Sequence, residues 1–499
     1  MKIAGHPPTT LCTENLSKLS QRARVPAYNR AELVPGIVHF GVGGFNRSHL
    51  AVYLDDLLHH PAEPRWGECG IGLLPGDLKI NQALKNQDYL YSVLTRDAGT
   101  RELRIIGSLT EHIFAPAAQE AVLQRLSAPE CEIVSLTVTE GGYFIEDATR
   151  RFCSEHPDVQ HDLEFPLLPR TFLGYLASAA ERRMRNGGKP FTVMSCDNVQ
   201  GNGEIARHAL IAFATLRDDK LGAWIEANVA FPNSMVDRIT PGTTEEDRHS
   251  IEIDFGIVDQ SPVVTEPFRQ WVIEDSFSGA RPRFELAGAE IASDVKPYEI
   301  TKMRLLNGGH STLAYVSAVL GYTLVSDAAA DPLVHRLVRV YLEETTPAVS
   351  HIAGVDLSSY KASILHRFAN PTIRDQVMRI CSEASAKIAK FIVPTIPELL
   401  KQQRRPRVIP FVIASWLHAM RGRDERGNSF TIADSSAHLF TEFLAQGGGN
   451  AKLALNVTSV FGDIASQSTQ FVNDVQQHLD RLRKDGVFAG ITSVTSSQT

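Results

Sequence analysis

Features of membrane, secreted and zinc-stabilised proteins are scarce in this sequence. No apolar run approaches the roughly 20 residues that span a bilayer, and residues 1–20 contain no sustained apolar core of a secretory signal. The six cysteines, at positions 12, 69, 131, 153, 196 and 381, form no Cys-x-x-Cys pair and follow no regular spacing. Such a distribution is typical of reduced, mostly buried thiols. We therefore expect a cytoplasmic protein with no membrane partner, no disulfide framework and no bound metal.

Positive charge is also in short supply. Lysine and arginine number 50 against 57 aspartates and glutamates, the formal net charge is −7, and no long basic run occurs. A nucleic-acid-binding surface needs such a basic patch, so we expect no nucleic-acid partner. The 499 residues, 43% apolar and 21% charged, have an ordinary globular composition and exceed what one hydrophobic core usually supports. Two large domains that act on a small molecule are the natural expectation.

A glycine turn between an apolar run and a helical pattern is the first functional signal. In "GIVHFGVGGFNRSHLAVYLDDLL", residues 37–40 are typical of a buried strand, and the apolar residues of "LAVYLDDLL" recur at helical spacing. Dinucleotide-binding proteins use this order, because the first glycine permits a tight turn and the second lets the backbone approach the pyrophosphate. Gly41 and Gly43 fit these positions. The third position holds Asn46, so either the helix and strand pack less closely or Gly44 shares the role.

Three further residues are candidates for binding the cofactor. Phe45 belongs to the same turn, and Arg47, just inside the helix, adds a cation for the phosphates unless it is a solvated arginine. After the second strand, a carboxylate binds the adenosine ribose hydroxyls, whereas an arginine favours a 2′-phosphate. Asp77 is such a carboxylate and favours NAD. It is also placed to cap the helix 77–87, and the two roles are compatible.

Three more apolar runs indicate that the first half is an α/β domain. Residues 68–74, 132–143 and 191–198 are bounded by turns and end in or near Gly, Asp or Asn, as buried parallel strands do. In open α/β sheets, ligands bind outside the carboxyl ends of the strands. We therefore predict a Rossmann-type dinucleotide-binding domain over residues 1–292.

The second half is predicted to be mostly α-helical. Long amphipathic segments replace the strand pattern from about residue 293, and they cover residues 297–321, 331–344, 358–368, 372–391, 408–422, 434–446 and 465–484. Residues 293–499 therefore form the predicted second domain. The first of these helices is expected to begin near Pro297, with Asp294 as a possible cap.

The stretch "KMRLLNGGH", residues 302–310, places several polar groups in that helix. On a regular α-helix, Glu299, His310 and Asn307 lie about 60°, 80° and 140° around the axis from Lys302, so all four share one side. The alternatives are a shared cavity and a solvated polar face. Two glycines follow Asn307 and are unfavourable inside a helix, which a close backbone approach, for instance to a nucleotide, would explain.

A dinucleotide fold with a lysine, asparagines and a histidine suggests hydride transfer between an alcohol and a nicotinamide. Lys302 is the candidate base, a role that requires its pKa to be lowered from the usual value. The amides of Asn307 and Asn198 are candidate donors to the alkoxide oxygen. His310 either bonds a neighbouring substrate hydroxyl or is an ordinary core histidine, and Glu299 either relays protons or pairs with the lysine.

Five stretches together resemble the signature segments of the mannitol dehydrogenase family, which are long-chain, metal-independent polyol dehydrogenases. They are "GVGGFNRSHLAVYLDDLL", "SLTVTEGGY", "FTVMSCDNVQGNG", "FPNSMVDRITP" and "KMRLLNGGHSTLAY", in order and over nearly the whole chain. The resemblance implies NAD-dependent interconversion of D-mannitol and D-fructose with Lys302 as general acid/base. It also implies that Asp237, Arg379 and Lys387 bond substrate hydroxyls, the last two from one helix, where a solvated charged face would look the same.

Several alternatives remain open from the sequence. Tyr298 and Lys302 have the spacing of the tyrosine base and lysine of short-chain dehydrogenases, although much later in the chain than in that family. A zinc-dependent polyol dehydrogenase lacks its metal-ligand cluster here. The substrate alternatives are arabinitol, sorbitol, fructuronate and a phosphorylated hexitol. A non-catalytic NAD sensor is disfavoured by the lysine and both asparagines. The oligomeric state is not determined, and a monomer is compatible with the sequence.

Overall fold

The computed structural model describes residues 8–61, 66–146 and 149–496. Residues 1–7, which begin the amino-terminal stretch considered above, lie outside this range. The chain divides into two compact units, Met1–Lys296 and Pro297–Thr499. The division follows residue 296, whereas the sequence predicted it after residue 292.

The first unit is an α/β domain. Its described strands are β1 (Thr9–Thr10), β2 (Val34–Phe40), β3 (Trp66–Gly72), β4 (Tyr91–Asp97), β5 (Thr100–Ile106), β6 (Leu109–Phe114), β7 (Ile133–Leu136), β8 (Thr192–Ser195), β9 (Ser234–Asp237), β10 (Ile257–Val258), β11 (Val263–Thr265), β12 (Gln270–Glu274) and β13 (Glu290–Ala292). Its described α-helices are α1 (Leu16–Leu19), α2 (Gly44–Ser48), α3 (Leu50–Leu58), α4 (Asp77–Lys85), α5 (Gln119–Ser127), α6 (Pro157–Glu164), α7 (Phe172–Arg185), α8 (Asn202–Arg217), α9 (Asp219–Asn228) and α10 (Glu245–Phe255).

Five strands form a parallel sheet in the order β6-β3-β2-β7-β8. Counted along the chain, these are the third, second, first, fourth and fifth strands of the sheet, which is the order of Rossmann folds. Both faces of β2 are buried, because Val38 and Phe40 pack into one apolar cluster and Ile37 packs into another. The predicted Rossmann-type fold is confirmed, and the chain reverses its winding between β2 and β7, where such folds bind ligands.

The remaining described strands form smaller sheets, in the orders β11-β4-β5, β13-β12-β9 and β1-β10. The sequence patterns did not predict the antiparallel β4–β5 pair. They also overextended two strands at their carboxyl ends, since the predicted runs 132–143 and 191–198 are shortened to β7 and β8. The reason is tertiary: the Asp197 carboxylate accepts the backbone N–H groups of Val138 and Thr139, which turns both segments out of the extended conformation.

The second unit is built from helices, which confirms the predicted mostly α-helical half. Its described helices are α11 (Lys296–Thr301, starting at the boundary), a π-helical turn (Lys302–Asn307), α12 (Gly308–Leu320), α13 (Val325–Ala330), α14 (Pro332–Thr345), α15 (Leu357–Phe368), α16 (Val377–Cys381), α17 (Ala384–Lys387), a second π-helical turn (Ile388–Ile392), α18 (Thr395–Lys401), α19 (Val408–Ala419), α20 (Thr441–Ala445), α21 (Ala451–Leu455), α22 (Thr458–Phe461), α23 (Ile464–Gln467) and α24 (Thr469–Thr495). Short 3₁₀ turns join several helices in both units. Helix α12 is buried over nearly its whole length and lies at the centre of this unit.

The prediction of one long helix over residues 372–391 is wrong. The structure has α16, α17 and the second π-helical turn instead, with Glu383 at a φ of 49° between α16 and α17. Glu383 donates its N–H to the Ala433 carbonyl, and its carboxylate accepts from Ser435. These contacts with a distant segment stabilise the break, which helical periodicity alone does not reveal.

Within the described residues, no helix combines the length and the apolar character needed to cross a membrane.

Candidate functional site

The glycine turn after β2 is shaped by its contact with the neighbouring strand connection. Gly41 has a φ of 94°, and a Cβ built on it would lie 2.1 Å from the backbone oxygen of Thr137. Only glycine fits there, because both the conformation and the space exclude a side chain. The Thr137 hydroxyl donates to the Gly41 carbonyl at 2.6 Å, and Gly43 N–H donates to the same carbonyl at 2.7 Å. The turn is therefore rigid before any ligand arrives.

Gly43 differs from Gly41 in what it faces. It is exposed, and a Cβ at this position would meet only the Gly41 carbonyl, at 3.9 Å. The open side of the backbone is what a close approach by a pyrophosphate requires. Gly44 begins α2, and a Cβ built on it would lie 3.5 Å from the Thr240 side chain. Phe45 is half-buried and stacks on His49 with ring centroids 4.8 Å apart.

A buried histidine supports this turn from below, and sequence reasoning missed it. His39, on β2, lies between Ser135 at 2.8 Å from Nδ1 and Thr137 at 2.9 Å from Nε2. Burial lowers the pKa of His39 to about 3, so the ring is neutral. Since the Thr137 hydroxyl donates to Gly41, the histidine donates from Nε2 and accepts from Ser135 at Nδ1. A histidine inside an apolar strand pattern was the available signal.

Asn46, at the third glycine position of the fingerprint, is buried against β3. Its side-chain amide donates to Glu68 Oε1 at 2.9 Å, and both side chains are almost fully inaccessible to solvent. The helix and the strand are thus joined by a hydrogen bond between side chains at the position where a glycine would permit direct packing. Burial raises the pKa of Glu68 to about 7.

The structure corrects both interpretations of Arg47. Its guanidinium is buried, donates to the Ser261 backbone oxygen and hydroxyl and to the Gly43 carbonyl, and lies over the Tyr91 ring. It is therefore neither a solvated arginine nor a cation directed at the phosphates. Burial lowers the pKa of Arg47, and its hydrogen bonds fix the base of the turn.

Asp77 lies where the second strand of the sheet ends. It is the first residue of α4, preceded by Gly76, and its carboxylate accepts the N–H of Leu74 at 2.8 Å. Asp77 therefore closes the turn before the helix. It does not cap the helix as predicted, because its carboxylate bonds the N–H of a residue before the helix. A Cβ on Gly72 would lie 2.7 Å from the Asp77 Cβ, so that glycine lets the aspartate fold back over the strand end.

Asn198 and Asp237 lie at the carboxyl ends of β8 and β9, two strands of different sheets in the first unit. Asn198 is exposed in the turn after β8, directly after the buried Asp197, and Asp237 is buried at the end of β9. The Asn202 amide donates to the backbone oxygens of Asp197 and Ser234, which ties this turn to the start of β9. Tyr143 also donates to Asp197, at 2.6 Å. These bonds, which the sequence did not predict, hold the turn before Asn198 and the start of the strand that ends in Asp237.

In the second unit, the predicted polar cluster coincides with a π-helical turn. Lys302 begins the turn and Asn307 ends it, and Gly308 N–H donates to the Met303 carbonyl, five residues back. The predicted angles assumed a regular α-helix, so they are wrong for Asn307 and His310. Glu299 and Lys302 are both buried, at 5% and 7% exposed. Such π-turns are rare in proteins and are frequent at functional sites. Asp294 caps α11, the helix that leads into this turn, by accepting the N–H of Lys296, as predicted.

Of the two glycines after Asn307, Gly308 is explained by a close approach of an aromatic residue rather than of a nucleotide. A Cβ on Gly308 would lie 2.0 Å from the Tyr341 hydroxyl oxygen, and that hydroxyl donates to the Arg304 carbonyl at 2.9 Å. The π-turn directs Gly308 N–H away from this carbonyl, and the tyrosine replaces it as donor. Gly309 has Phe368 within ordinary contact distance, and His310 stacks on the same ring with centroids 4.0 Å apart.

Arg379 and Lys387 lie on two helices, α16 and α17, whereas the prediction placed them on one. The Arg379 guanidinium makes two hydrogen bonds to the Asp375 carboxylate, at 2.6 and 2.7 Å. Lys387 Nζ donates to the Ile380 carbonyl at 2.9 Å. Burial, followed by the charge of Arg379, lowers the pKa of Lys387. The two cations are thus held close together by the break between the helices.

The described part of the chain contains no group of three or more histidines, cysteines, aspartates or glutamates arranged to hold a metal ion.

Comparison with known proteins identifies relatives of both halves. The family models of the mannitol dehydrogenase Rossmann domain and of the mannitol dehydrogenase C-terminal domain match residues 35–286 and 294–483. A mannitol 2-dehydrogenase of Aspergillus fumigatus is 42% identical over 491 residues, which are 96% of this chain and 98% of that protein. A mannitol dehydrogenase of Saccharomyces cerevisiae is 39% identical over 97% of both chains.

Two solved structures match nearly the whole chain. The ternary complex of Pseudomonas fluorescens mannitol 2-dehydrogenase with NAD and D-mannitol has a TM-score of 0.87 and 39% identity, and covers 98% of this chain and all of that one. The substrate-free form of a D-sorbitol dehydrogenase has a TM-score of 0.91 and 37% identity, and covers 96% of this chain and all of that one.

Proposed function

Because the chain belongs to the mannitol dehydrogenase family, we propose that it is an NAD-dependent polyol dehydrogenase that interconverts D-mannitol and D-fructose. The fungal relative bears the name of this activity, and the bacterial structure contains NAD together with D-mannitol. The observation within this chain that carries the proposal is the buried Lys302 at the start of a π-helical turn. Sorbitol is the second candidate substrate, because the structure of a D-sorbitol dehydrogenase matches equally well.

The first unit binds the cofactor in this proposal. NAD, when bound, accepts a hydride from carbon 2 of the polyol. The backbone from Gly41 to Gly44 fits a pyrophosphate, since Gly43 leaves one side of the turn open. Phe45 flanks the turn, and Asp77 bonds the ribose hydroxyls, which favours NAD over NADP.

The second unit supplies the proton chemistry. The Lys302 amine takes the proton from the substrate hydroxyl as the hydride leaves, and returns it in the reverse direction. The Asn307 amide donates to the developing alkoxide from the other end of the same π-turn. His310, held flat against Phe368, bonds a neighbouring hydroxyl, and Glu299 exchanges protons with the lysine. Arg379 and Lys387 bond further hydroxyls.

The roles of Asn198 and Asp237 stay predictions from the sequence. Asn198 would be a second amide donor to the alkoxide, and Asp237 would bond a substrate hydroxyl. We further propose that the protein is cytoplasmic, in agreement with its six free cysteines.

A panel of substrates tests the proposal. Mannitol, sorbitol and arabinitol are each supplied with NAD, and fructose and fructuronate with NADH, while the near-ultraviolet absorbance of NADH is followed. We expect the highest kcat/KM for mannitol and fructose. A flat absorbance with every substrate, despite saturable NADH binding, would indicate a sensor, and a preference for sorbitol would select the second candidate.

A further inference from the structure

The pair of Asn46 and Glu68 has two oxygen atoms that lack hydrogen-bond partners. The amide N–H of Asn46 donates to Glu68 Oε1 at 2.9 Å. Asn46 Oδ1 and Glu68 Oε2 are both buried, and neither has a partner within the described part of the chain. Both atoms are acceptors when the carboxyl is ionised, so neither satisfies the other. Two unsatisfied buried oxygens in adjoining groups would be costly.

A single proton resolves this conflict. A protonated carboxyl and a primary amide match in both directions, because the amide N–H donates to the carboxyl C=O while the acid O–H donates to the amide C=O. We propose that Glu68 is a positioning residue that carries this proton in the folded protein and shares it with Asn46, so that two hydrogen bonds fix the cofactor turn against β3.

The position of the pair explains why this matters for the cofactor. Asn46 lies in α2, three residues after Gly43, and Glu68 lies in β3, which pairs with β2 in the sheet. The proposed acid–amide pair therefore sets the distance between the turn and the strand beside it. This consequence rests on the proposed function, whereas the location of the proton does not.

The surroundings favour a neutral carboxyl. Burial is the largest cause that raises the pKa of Glu68, to about 7, and the Asn46 bond opposes it. Among the described residues, the pKa values of Tyr91 on β4 and Cys196 after β8 respond to Glu68, and burial raises both, so the two groups remain neutral. The cation of α2, Arg47, directs its guanidinium at Ser261.

The sign of the pH dependence follows from linkage. A glutamate in the unfolded chain titrates at about pH 4.3, so the folded protein holds an extra proton between that value and the raised pKa of about 7. The stabilisation from this proton is complete below about pH 4 and is lost as the pH rises through about 7. Cofactor binding should weaken over the same upper range.

Infrared difference spectroscopy of the cofactor-free protein tests the location of the proton. The wild-type protein should show the C=O stretch of a protonated carboxyl at about pH 6, and this band should disappear with a midpoint at about pH 7. Glu68→Gln should lack this band, because the glutamine amide reproduces both hydrogen bonds without a proton to lose. Glu111→Gln, which changes a carboxylate paired with Arg125 at 2.6 Å, is the matched control and should keep the band.

NADH binding, measured by fluorescence titration, tests the positioning role. The wild-type dissociation constant should rise about fivefold from pH 6 to pH 9, equivalent to about 1 kcal/mol for one lost hydrogen bond. The constant for Glu68→Gln should stay flat, and that for Glu111→Gln should follow the wild type.

Two results would overturn the inference. One is a wild-type infrared spectrum that shows no C=O stretch of a protonated carboxyl at about pH 6. This measurement does not require any variant to fold. The other is a Glu68→Gln protein whose NADH affinity keeps the wild-type pH dependence. If the infrared band is present but NADH does not bind at any pH, the proposed function fails while the proton on Glu68 stands.

Discussion

The contact between Gly308 and Tyr341 predicts a strong energetic coupling inside the second unit. Gly308→Ala would place a methyl group 2.0 Å from the Tyr341 hydroxyl oxygen. The tyrosine is fully buried and its hydroxyl is bonded to the Arg304 carbonyl, so it cannot move aside without cost. Alanine favours a helix over glycine by about 1 kcal/mol, but overpacking in a core costs about 1–3 kcal/mol. We therefore expect net destabilisation.

A double-mutant cycle isolates this contact. Tyr341→Phe alone should cost about 1–3 kcal/mol, because the Arg304 carbonyl loses its donor. In the double variant the hydroxyl that blocks the methyl group is absent, although the ring carbon Cζ, at 2.9 Å, still presses on it. The combined loss should therefore be smaller than the sum of the single losses by about 1 kcal/mol.

Urea unfolding, followed by circular dichroism, measures these free energies of unfolding. Gly309→Ala is the matched control, since a Cβ there would make only ordinary contact with Phe368, at 3.5 Å, and should be tolerated. Turnover should fall in Gly308→Ala more than in Gly309→Ala, because the π-turn that carries Lys302 and Asn307 would shift. Additive losses in the cycle, or a Gly308→Ala protein as stable as the wild type, would refute this account of the π-turn.

The remaining predictions concern catalysis and the cofactor. Lys302→Ala should lower kcat by about 10²-fold or more with NADH affinity nearly unchanged, and an added primary amine should restore part of the rate. Tyr298→Phe should remain active; an inactive but folded variant would assign the proton to the tyrosine. Asn307→Ala and Asn198→Ala should each raise the barrier by about 3 kcal/mol, seen in kcat more than in KM, and unchanged turnover would exclude the amide as an alkoxide donor. The wild type should have a higher kcat/KM with NAD than with NADP, and Asp77→Asn should lower the ratio of the two values. Equal efficiencies in the wild type would contradict the role of Asp77 in binding the ribose hydroxyls.

Local sequence was sufficient to predict the elements that depend on neighbours along the chain. The β2 run, the glycine turn and the helical character of the segment after it were predicted from residues 36–58, because strand, turn and helix preferences all act over a few residues. The prediction of one helix there was wrong, since His49 separates α2 from α3. The Asp294 cap of α11 was predicted for the same reason. The amphipathic pattern after about residue 293 correctly predicted a mostly helical half.

Tertiary contacts decided what those patterns could not contain. Helical periodicity predicts an axis and a face, but a π-turn at Lys302–Asn307 depends on a donor from α14, the Tyr341 hydroxyl, to satisfy the carbonyl that the wider turn releases. Glu383 likewise breaks a helical pattern, because its hydrogen-bond partners, Ala433 and Ser435, lie in a distant segment of the chain.

The cofactor turn divides in the same way. Its glycines and its place after β2 were determined by the sequence alone, since a left-handed φ and an open backbone require glycine. The burial of Arg47 against Ser261, the support from His39 and the pairing of Asn46 with Glu68 were decided only when distant strands came together. A side chain's environment, unlike its backbone preference, is a property of residues far away in the chain, and so only the folded structure distinguishes a phosphate ligand from a buried support.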